Sequence, residues 1–325
     1  MGSAQQYVVG FDLGGTNMRA GVVDAAGKII SKCDAATRAD VDDGDTIIRR
    51  MGDLVDEAIV KSGMKRESIA SIGLGVPGPL DPKAGSVCDS PNLGQLNGKP
   101  IRDSLKKRFN LPVNLENDAN AAAWGEYIAG AGRGVQDMLM VTLGTGIGGG
   151  IVLGGRLHHG IDHTAGEFGH VVIIADGRDC NCGSHGCVEA YASVNTTVRR
   201  CVEALAAGAK SSLSSIQADK LVCKDIFDAA RKGDALGLKV VDDTAEYLGI
   251  LCGTLANLFN PERIVFAGGM IKDWDFLHGR IVAAFKRRAF PVPFKRCELK
   301  PAELGGDAGL IGAAGCALTE FGTSR

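Results

Sequence analysis

The segment Asp-Cys-Asn-Cys-Gly-Ser-His-Gly-Cys-Val-Glu, residues 179–189, holds three of the chain's ten cysteines within eight positions. Thiolates and imidazoles bind soft divalent ions. His170 with Cys180, Cys182 and Cys187 makes a Cys3His set, the closed tetrahedral shell of a structural Zn2+. His185 competes with His170 for the fourth position. The spacing Cys-x-Cys-x4-Cys contains no Cys-x-x-Cys redox pair. A closed shell leaves no open coordination position, so the expected work is mechanical. It staples the loop that carries Glu189 and turns the other ring nitrogen of His170 outward.

Three more groups have chemical potential. Glu167-Phe168-Gly169-His170 and Glu189 set carboxylates beside an imidazole, a combination that hydrogen-bonds vicinal hydroxyls of a sugar. Two surface carboxylates and a core histidine would read the same way. Five of the six histidines fall between His158 and His185. Asn117-Asp118 stands between a buried strand and an Ala-rich helix. It is either an ordinary helix N-cap or a carboxylate that accepts a hydroxyl proton. Gly144-x-Gly146-x-x-Gly149 spells the dinucleotide fingerprint, with Glu167 downstream, but that fingerprint needs a helix next. Ile151-Val152-Leu153-Gly154-Gly155 reads as strand and turn, which excludes it. No Gly-Lys-Ser/Thr occurs, so a Walker A loop is excluded too. The pattern strand, glycines, strand instead appears twice, at Asp12-Leu13-Gly14-Gly15-Thr16 and at residues 144–150. Either alone could be a plain tight hairpin. As a pair, with Asp12 beside the first, they point to backbone N–H groups holding nucleotide phosphates with Mg2+.

The elements that must carry these groups follow from patterning. Strands are expected over residues 7–12, 18–24 and 29–35 as an antiparallel meander. Ile47, Ile48, Met51, Leu54, Val55, Ala58 and Ile59 recur at helical spacing up to Gly63. Further strands are expected over residues 69–76, 112–116, 137–143, 151–153 and 264–267, with residues 144–150 as a loop. Helices are expected over residues 101–109, 119–129 and 307–321, the last rich in small residues. With 325 residues the chain exceeds one comfortable core, so two lobes are expected, each giving a glycine hairpin to a cleft between them. Hydrophobic residues are 45% and the net charge is −2, which leaves no basic face for nucleic acid and no membrane span. The start, Met-Gly-Ser-Ala-Gln-Gln, lacks a signal peptide's basic and apolar regions, so a cytoplasmic home with reduced thiols is expected. The seven scattered cysteines then read as small buried hydrophobes.

Together these motifs resemble the ROK family of sugar kinases and sugar-responsive repressors, closest in pattern to its bacterial glucokinases. The most specific part is Ala165-Gly166-Glu167-Phe168-Gly169-His170 followed by Cys180-x-Cys182-Gly183-x-x-Gly186-Cys187-x-Glu189. The resemblance implies an α/β two-lobed hexokinase/actin-like ATPase (ribonuclease H-like) fold with a zinc-stapled loop. It implies a small lobe of residues 1–118 plus 306–325 and a large lobe of residues 119–305. Asp118 would be the general base on the sugar's primary hydroxyl. Gly78, Asn92, Asn117, Glu167, His170 and Glu189 would hold the hexose. Asp12, Gly14, Gly15, Thr16, Asn17, Gly144, Thr145, Gly146, Gly268 and Gly269 would hold ATP with Mg2+. Many relatives carry a Trp shortly after the position of Asn92; Gln95-Leu96-Asn97 stands here instead. The implied activity is conversion of glucose and ATP to glucose 6-phosphate and ADP, with mannose, fructose or an N-acetylhexosamine as alternative acceptors. A homodimer or dimer of dimers is also implied. The family's repressors place a helix-turn-helix before the first phosphate loop; only about six residues precede Tyr7 here, so DNA binding is not expected.

Overall fold

The computed structural model describes residues 7–90 and 93–322. Strands β1 (Tyr7–Leu13), β2 (Asn17–Asp24) and β3 (Ile29–Ala36) form the expected antiparallel meander. Helix α1 (Gly44–Ser62) leads to β4 (Ile69–Val76), which pairs with β1 in parallel. A small ribbon, β5 (Leu80–Asp81) and β6 (Ser86–Val87), precedes α2 (Ile101–Phe109), β7 (Val113–Asn117) and α3 (Asp118–Ala129). Then come β8 (Met138–Leu143), β9 (Ile147–Leu153), β10 (Arg156–Leu157), α4 (Glu189–Ala192), α5 (Val194–Ala206), α6 (Cys223–Arg231) and α7 (Ala235–Phe259). The chain closes with β11 (Arg263–Gly268), α8 (Trp274–Arg288), α9 (Pro291–Arg296), β12 (Glu298–Pro301) and α10 (Ala308–Phe321). Two mixed five-stranded sheets result, in the orders β3-β2-β1-β4-β7 and β10-β9-β8-β11-β12.

The chain divides into two compact units. One holds the chain up to Gly134, Gly150–Ala165 and the chain from Glu303 on; the other holds Val135–Gly149 and Gly166–Ala302. Helix α3 therefore packs with the first unit, where the sequence placed it in the larger lobe. The third strand pair also starts earlier than expected. The strand after the second glycine turn begins at Ile147, so Gly148, Gly149 and Gly150 are strand residues, not loop. Their lack of side chains is a packing demand: a Cβ on Gly149 would strike the Phe168 ring, and one on Gly150 the Ala123 methyl.

In the first unit the alternation of β1 sorts its residues onto two faces. Val9, Phe11 and Leu13 join Ile47, Met51 and Val55 of α1 in one core. Val8 joins Leu310, Ile311 and Ala314 of α10 in another. On the α10 face, Gly21, Gly10 and Gly73 stand in register across β2, β1 and β4. A Cβ on Gly10 or Gly73 would collide with the carbonyls of Leu310 or Ala313. Helix α10 thus lies directly on sheet backbone, and its own Gly312 and Gly315 let α3 approach from the far side. This explains its small-residue composition. Asp12 shares that face of β1 and points at Gly309 in the first turn of α10.

Glu126, fully buried on α3, accepts backbone N–H groups from Ala131 (2.8 Å), Glu303 (3.0 Å) and Leu304 (2.8 Å). One carboxylate thereby ties the end of α3 to the segment that enters α10. In the second unit β8, β11 and β12 run parallel, and α7 packs against α5, α6 and α8. Of the scattered cysteines, Cys33, Cys201, Cys252, Cys297 and Cys316 are buried as expected, whereas Cys88 is exposed and Cys223 half-buried. Among the described residues no helix is long and apolar enough to cross a membrane.

Candidate active site

In the first unit the turn between β1 and β2 is held from behind by β3's continuation. Gly14 N–H donates to the Asn17 carbonyl (2.8 Å), the Thr37 hydroxyl donates to the Gly14 carbonyl (2.7 Å), and Thr37 N–H donates to the Thr16 carbonyl (2.8 Å). The C=O and N–H of a trans peptide point in opposite directions, so the N–H groups of Gly15 and Asn17 are turned away from Thr37. Successive N–H groups aimed one way make an anion-binding concavity. Asp12 ends β1 beside it. Burial pushes its carboxyl above the ordinary range, against a smaller lowering by Arg19. A hard cation at this carboxylate would reverse that cost, so the residues fit Mg2+.

Asn117 and Asp118 divide the two roles that compete in the sequence. Asn117 is the N-cap of α3: its Oδ1 accepts N–H from Ala119 (2.9 Å) and Asn120 (3.1 Å), and its Nδ2 donates to the Gly78 carbonyl (3.3 Å). Asp118 is the first helical residue, and its Oδ1 accepts from Ala119 N–H (2.9 Å). Gly78 has φ +101°, a conformation few other residues adopt, and a Cβ there would press on the Asp89 carbonyl. The bond from Asn117 depends on the placement of the Gly78 carbonyl. Asn92 lies outside the described residues; beside it, Ser90 N–H donates to Asn97 Oδ1 (2.9 Å).

In the second unit three predicted groups converge on Ile147, the residue that follows the turn Gly144-Thr145-Gly146. Ile147 N–H donates to Glu189 Oε2 (2.8 Å). A Cβ on Gly146 would overlap that same carboxylate, so this glycine is required by Glu189. A Cβ on Gly169 would strike the Ile147 carbonyl, which seats the short 3-10 turn Phe168–His170 on the start of β9. Val194 N–H, at the start of α5, donates to the Gly144 carbonyl (2.9 Å), turning Thr145 N–H outward. Gly268 (φ +96°) closes β11 against the Leu143 backbone, with Gly269 next. His170 Nε2 lies 4.0 Å from Glu167 Oε2, and both side chains keep solvent access.

The cysteine segment folds back on itself through bridges Val172↔Cys187 and Asp179↔His185. The donor atoms of His170, Cys180, Cys182 and Cys187 all lie within 4.8 Å of one another. Cys182 Sγ is 3.8 Å from Cys187 Sγ, and Cys180 Sγ is 3.6 Å from His170 Nδ1. A tetrahedral ion with Zn–S and Zn–N bonds of ordinary length needs edges of about 3.8 and 3.6 Å, so the donor set fits zinc. His185 is not a donor: it is exposed and pairs with Asp179 (2.8 Å). Burial pushes the Cys187 thiol up to about 12, while the Ser184 N–H holds Cys182 below its ordinary value. Nδ1 of His170 faces the thiols, which leaves Nε2 for Glu167 and whatever the two grasp.

Missing from the sequence reading are Thr37, Glu126, Glu116 and His159. Glu126 had a signal, a lone charge in an Ala-rich helix. Thr37 had none.

The two mixed sheets, their glycine turns and the Cys/His loop are those of the ROK sugar kinases, a fold of the actin-like ATPase class. The chain belongs to the ROK family, which it matches over residues 8–320. It is 39% identical to a glucokinase of Halalkalibacterium halodurans, over 95% of this chain and 94% of that one. A solved ROK family glucokinase of Streptomyces griseus, in complex with glucose and AMPPNP, is 36% identical with TM-score 0.78, covering 96% of this chain and 99% of its own. The ROK hexokinase of Thermus thermophilus is 34% identical with TM-score 0.85, covering 97% and 99%. Xylose repressors also match, at 27–29% identity.

Proposed function

We propose that this protein is an ATP-dependent glucokinase that moves the γ-phosphoryl group of ATP to the 6-hydroxyl of glucose. The observation that carries the reading is the convergence on Ile147. A phosphate-type turn, Glu189 and the Glu167–His170 turn share one backbone position, and His170 also belongs to a zinc-type donor set. Curated relatives whose glucokinase activity is part of their name match at 34–39% identity.

Asp118 takes the proton from O6 as that oxygen attacks the γ-phosphorus, and the bond to the bridging β-oxygen breaks. Its place at the first turn of α3 favours a negative group through the helix dipole. Gly78, Asn92, Asn117, Glu167, His170 and Glu189 bind the remaining hydroxyls. N–H groups of the Gly14–Asn17 and Gly144–Gly146 turns take charge on the phosphate oxygens, and the loop at Gly268-Gly269 takes the adenosine side. Asp12 would hold Mg2+ together with the phosphates, where the ion would supply neutralisation of developing charge. Zn2+ held by His170, Cys180, Cys182 and Cys187 has only a structural part. Dimerisation, implied by the resemblance, and the expected cytoplasmic location belong to this reading; light scattering tests the first.

A coupled assay of ADP release over glucose, mannose, fructose and N-acetylhexosamines tests the activity. Glucose should give the highest kcat/KM. No ADP release with any hexose would overturn the reading, and a different best acceptor would reassign the substrate. A gel shift at low salt tests the repressor alternative; no shift is expected.

A further inference from the structure

The carboxylate of Glu116, 6% exposed, stands one residue before Asn117-Asp118 and has no part in the mechanism above. Its Oε1 accepts the backbone N–H of Asn117 (2.9 Å) and Nδ2 of Asn120 (3.1 Å). Its Oε2 meets Nε2 of His159 at 2.8 Å. Glu116 thus grips the peptide that enters Asn117 and a side chain two residues beyond Asp118. His159 comes from the segment after β10, which is closed by a bond from Ala165 N–H to the His159 carbonyl (3.0 Å). Its ring lies against that of His163, with centroids 4.8 Å apart.

Burying a carboxylate without a counter-charge is costly. His159 is the partner in place. Its hydrogen bond to Glu116 raises the imidazole's pKa, outweighing the lowering by burial. The other titratable groups around the ring are His163 on its own segment, Arg156 on β10, and Cys316 and Glu320 on α10. Except for His163 they line, with Glu116 and His159, one cavity of about 530 Å3.

We infer that Glu116 and His159 form a positioning pair: the imidazolium supplies the counter-charge that lets Glu116 lock Asn117 and Asn120 on either side of Asp118. The inference rests on Asp118 being the general base. Without the counter-charge Glu116 keeps only a weaker, neutral hydrogen-bond partner at Oε2, which loosens its hold on Asn117 and Asn120. Asp118 is then presented less accurately, which costs rate more than binding. The pair should also mark the pH profile. The charged imidazole persists above the ordinary histidine range and is lost as pH rises through the shifted value, so kcat should decline along that limb.

The test measures kcat and both KM values of the full chain for His159→Gln, Glu116→Gln and the double variant, beside Asp118→Asn. Each single variant should lose about tenfold in kcat with both KM values within about twofold, and the double should be no worse than the lower single. The alkaline limb should vanish in His159→Gln. Singles within about twofold of the parent kcat, or losses that multiply in the double, overturn the pair. If Glu116→Gln does not fold, kcat and the alkaline limb of His159→Gln decide alone. A collapsed Asp118→Asn beside an unaffected His159→Gln removes only this inference, whereas an active Asp118→Asn removes the base assignment beneath it.

Discussion

The two glycine turns are each closed by a bond from the first glycine's N–H, and they have different supports. In each, the first glycine's N–H reaches forward to a carbonyl two or three residues on, Gly14 to Asn17 and Gly144 to Gly146. The first is braced by Thr37, the residue that follows its own meander. The second is braced by Glu189 and Val194, which lie beyond the last of the clustered cysteines. A brace from the adjacent strand needs only the sheet. A brace from a far loop needs that loop held in place, and a short polar loop with little core of its own is where a metal staple does most good. The first turn should therefore stand or fall with the sheet, and the second with its Cys/His donors.

The strongest way to separate the two units is Asp118→Asn. If the first unit carries the proton transfer, kcat should fall by about a thousandfold while glucose KM stays within about threefold. A fall smaller than about tenfold would reduce Asp118 to a helix-end residue. Metal removal strikes the other unit. Elemental analysis should find about one zinc per chain, and Cys182→Ala should lose it with a loss of about a hundredfold in kcat/KM for glucose. Hydrogen exchange in that variant should rise at Ile147 and Val194 and stay unchanged at Gly14; a rise at both turns would erase the distinction drawn between them.

The sheet-borne support is tested by Gly73→Ala, which forces a methyl group onto the Ala313 carbonyl and should cost about 3 kcal/mol in urea unfolding. An unchanged midpoint would mean that α10 does not lie on bare backbone. The smallest effect is expected for Thr37→Val, which removes the bond to the Gly14 carbonyl. It should raise KM for ATP about fivefold, equivalent to about 1 kcal/mol, and leave zinc content untouched.

Much of this was legible in the chain before any fold was known. Periodicity placed the meander, because β1 to β3 alternate or bury both faces and break at Gly and Asp. Cysteine spacing marked the Cys/His cluster, since thiols this close in sequence can hardly avoid one another. What failed was the reading of residues 147–150 as loop, because Gly149 and Gly150 serve packing against Phe168 and Ala123, and those partners are remote. Whether His170 or His185 completed the donor set was likewise beyond one-dimensional spacing; the bridge between Asp179 and His185 carries the latter outward.

Side-chain chemistry and local backbone preference are properties of short stretches, so the sequence by itself determined the donor types, the glycine turns and the cap of α3. Which residues brace them was decided only by tertiary structure. Glu189 under Ile147, Thr37 behind Gly14, Glu126 across to Leu304 and His159 on Glu116 are all pairings between distant segments. Nothing in a linear pattern specifies such pairings until burial makes each unpaired polar group too costly to leave alone.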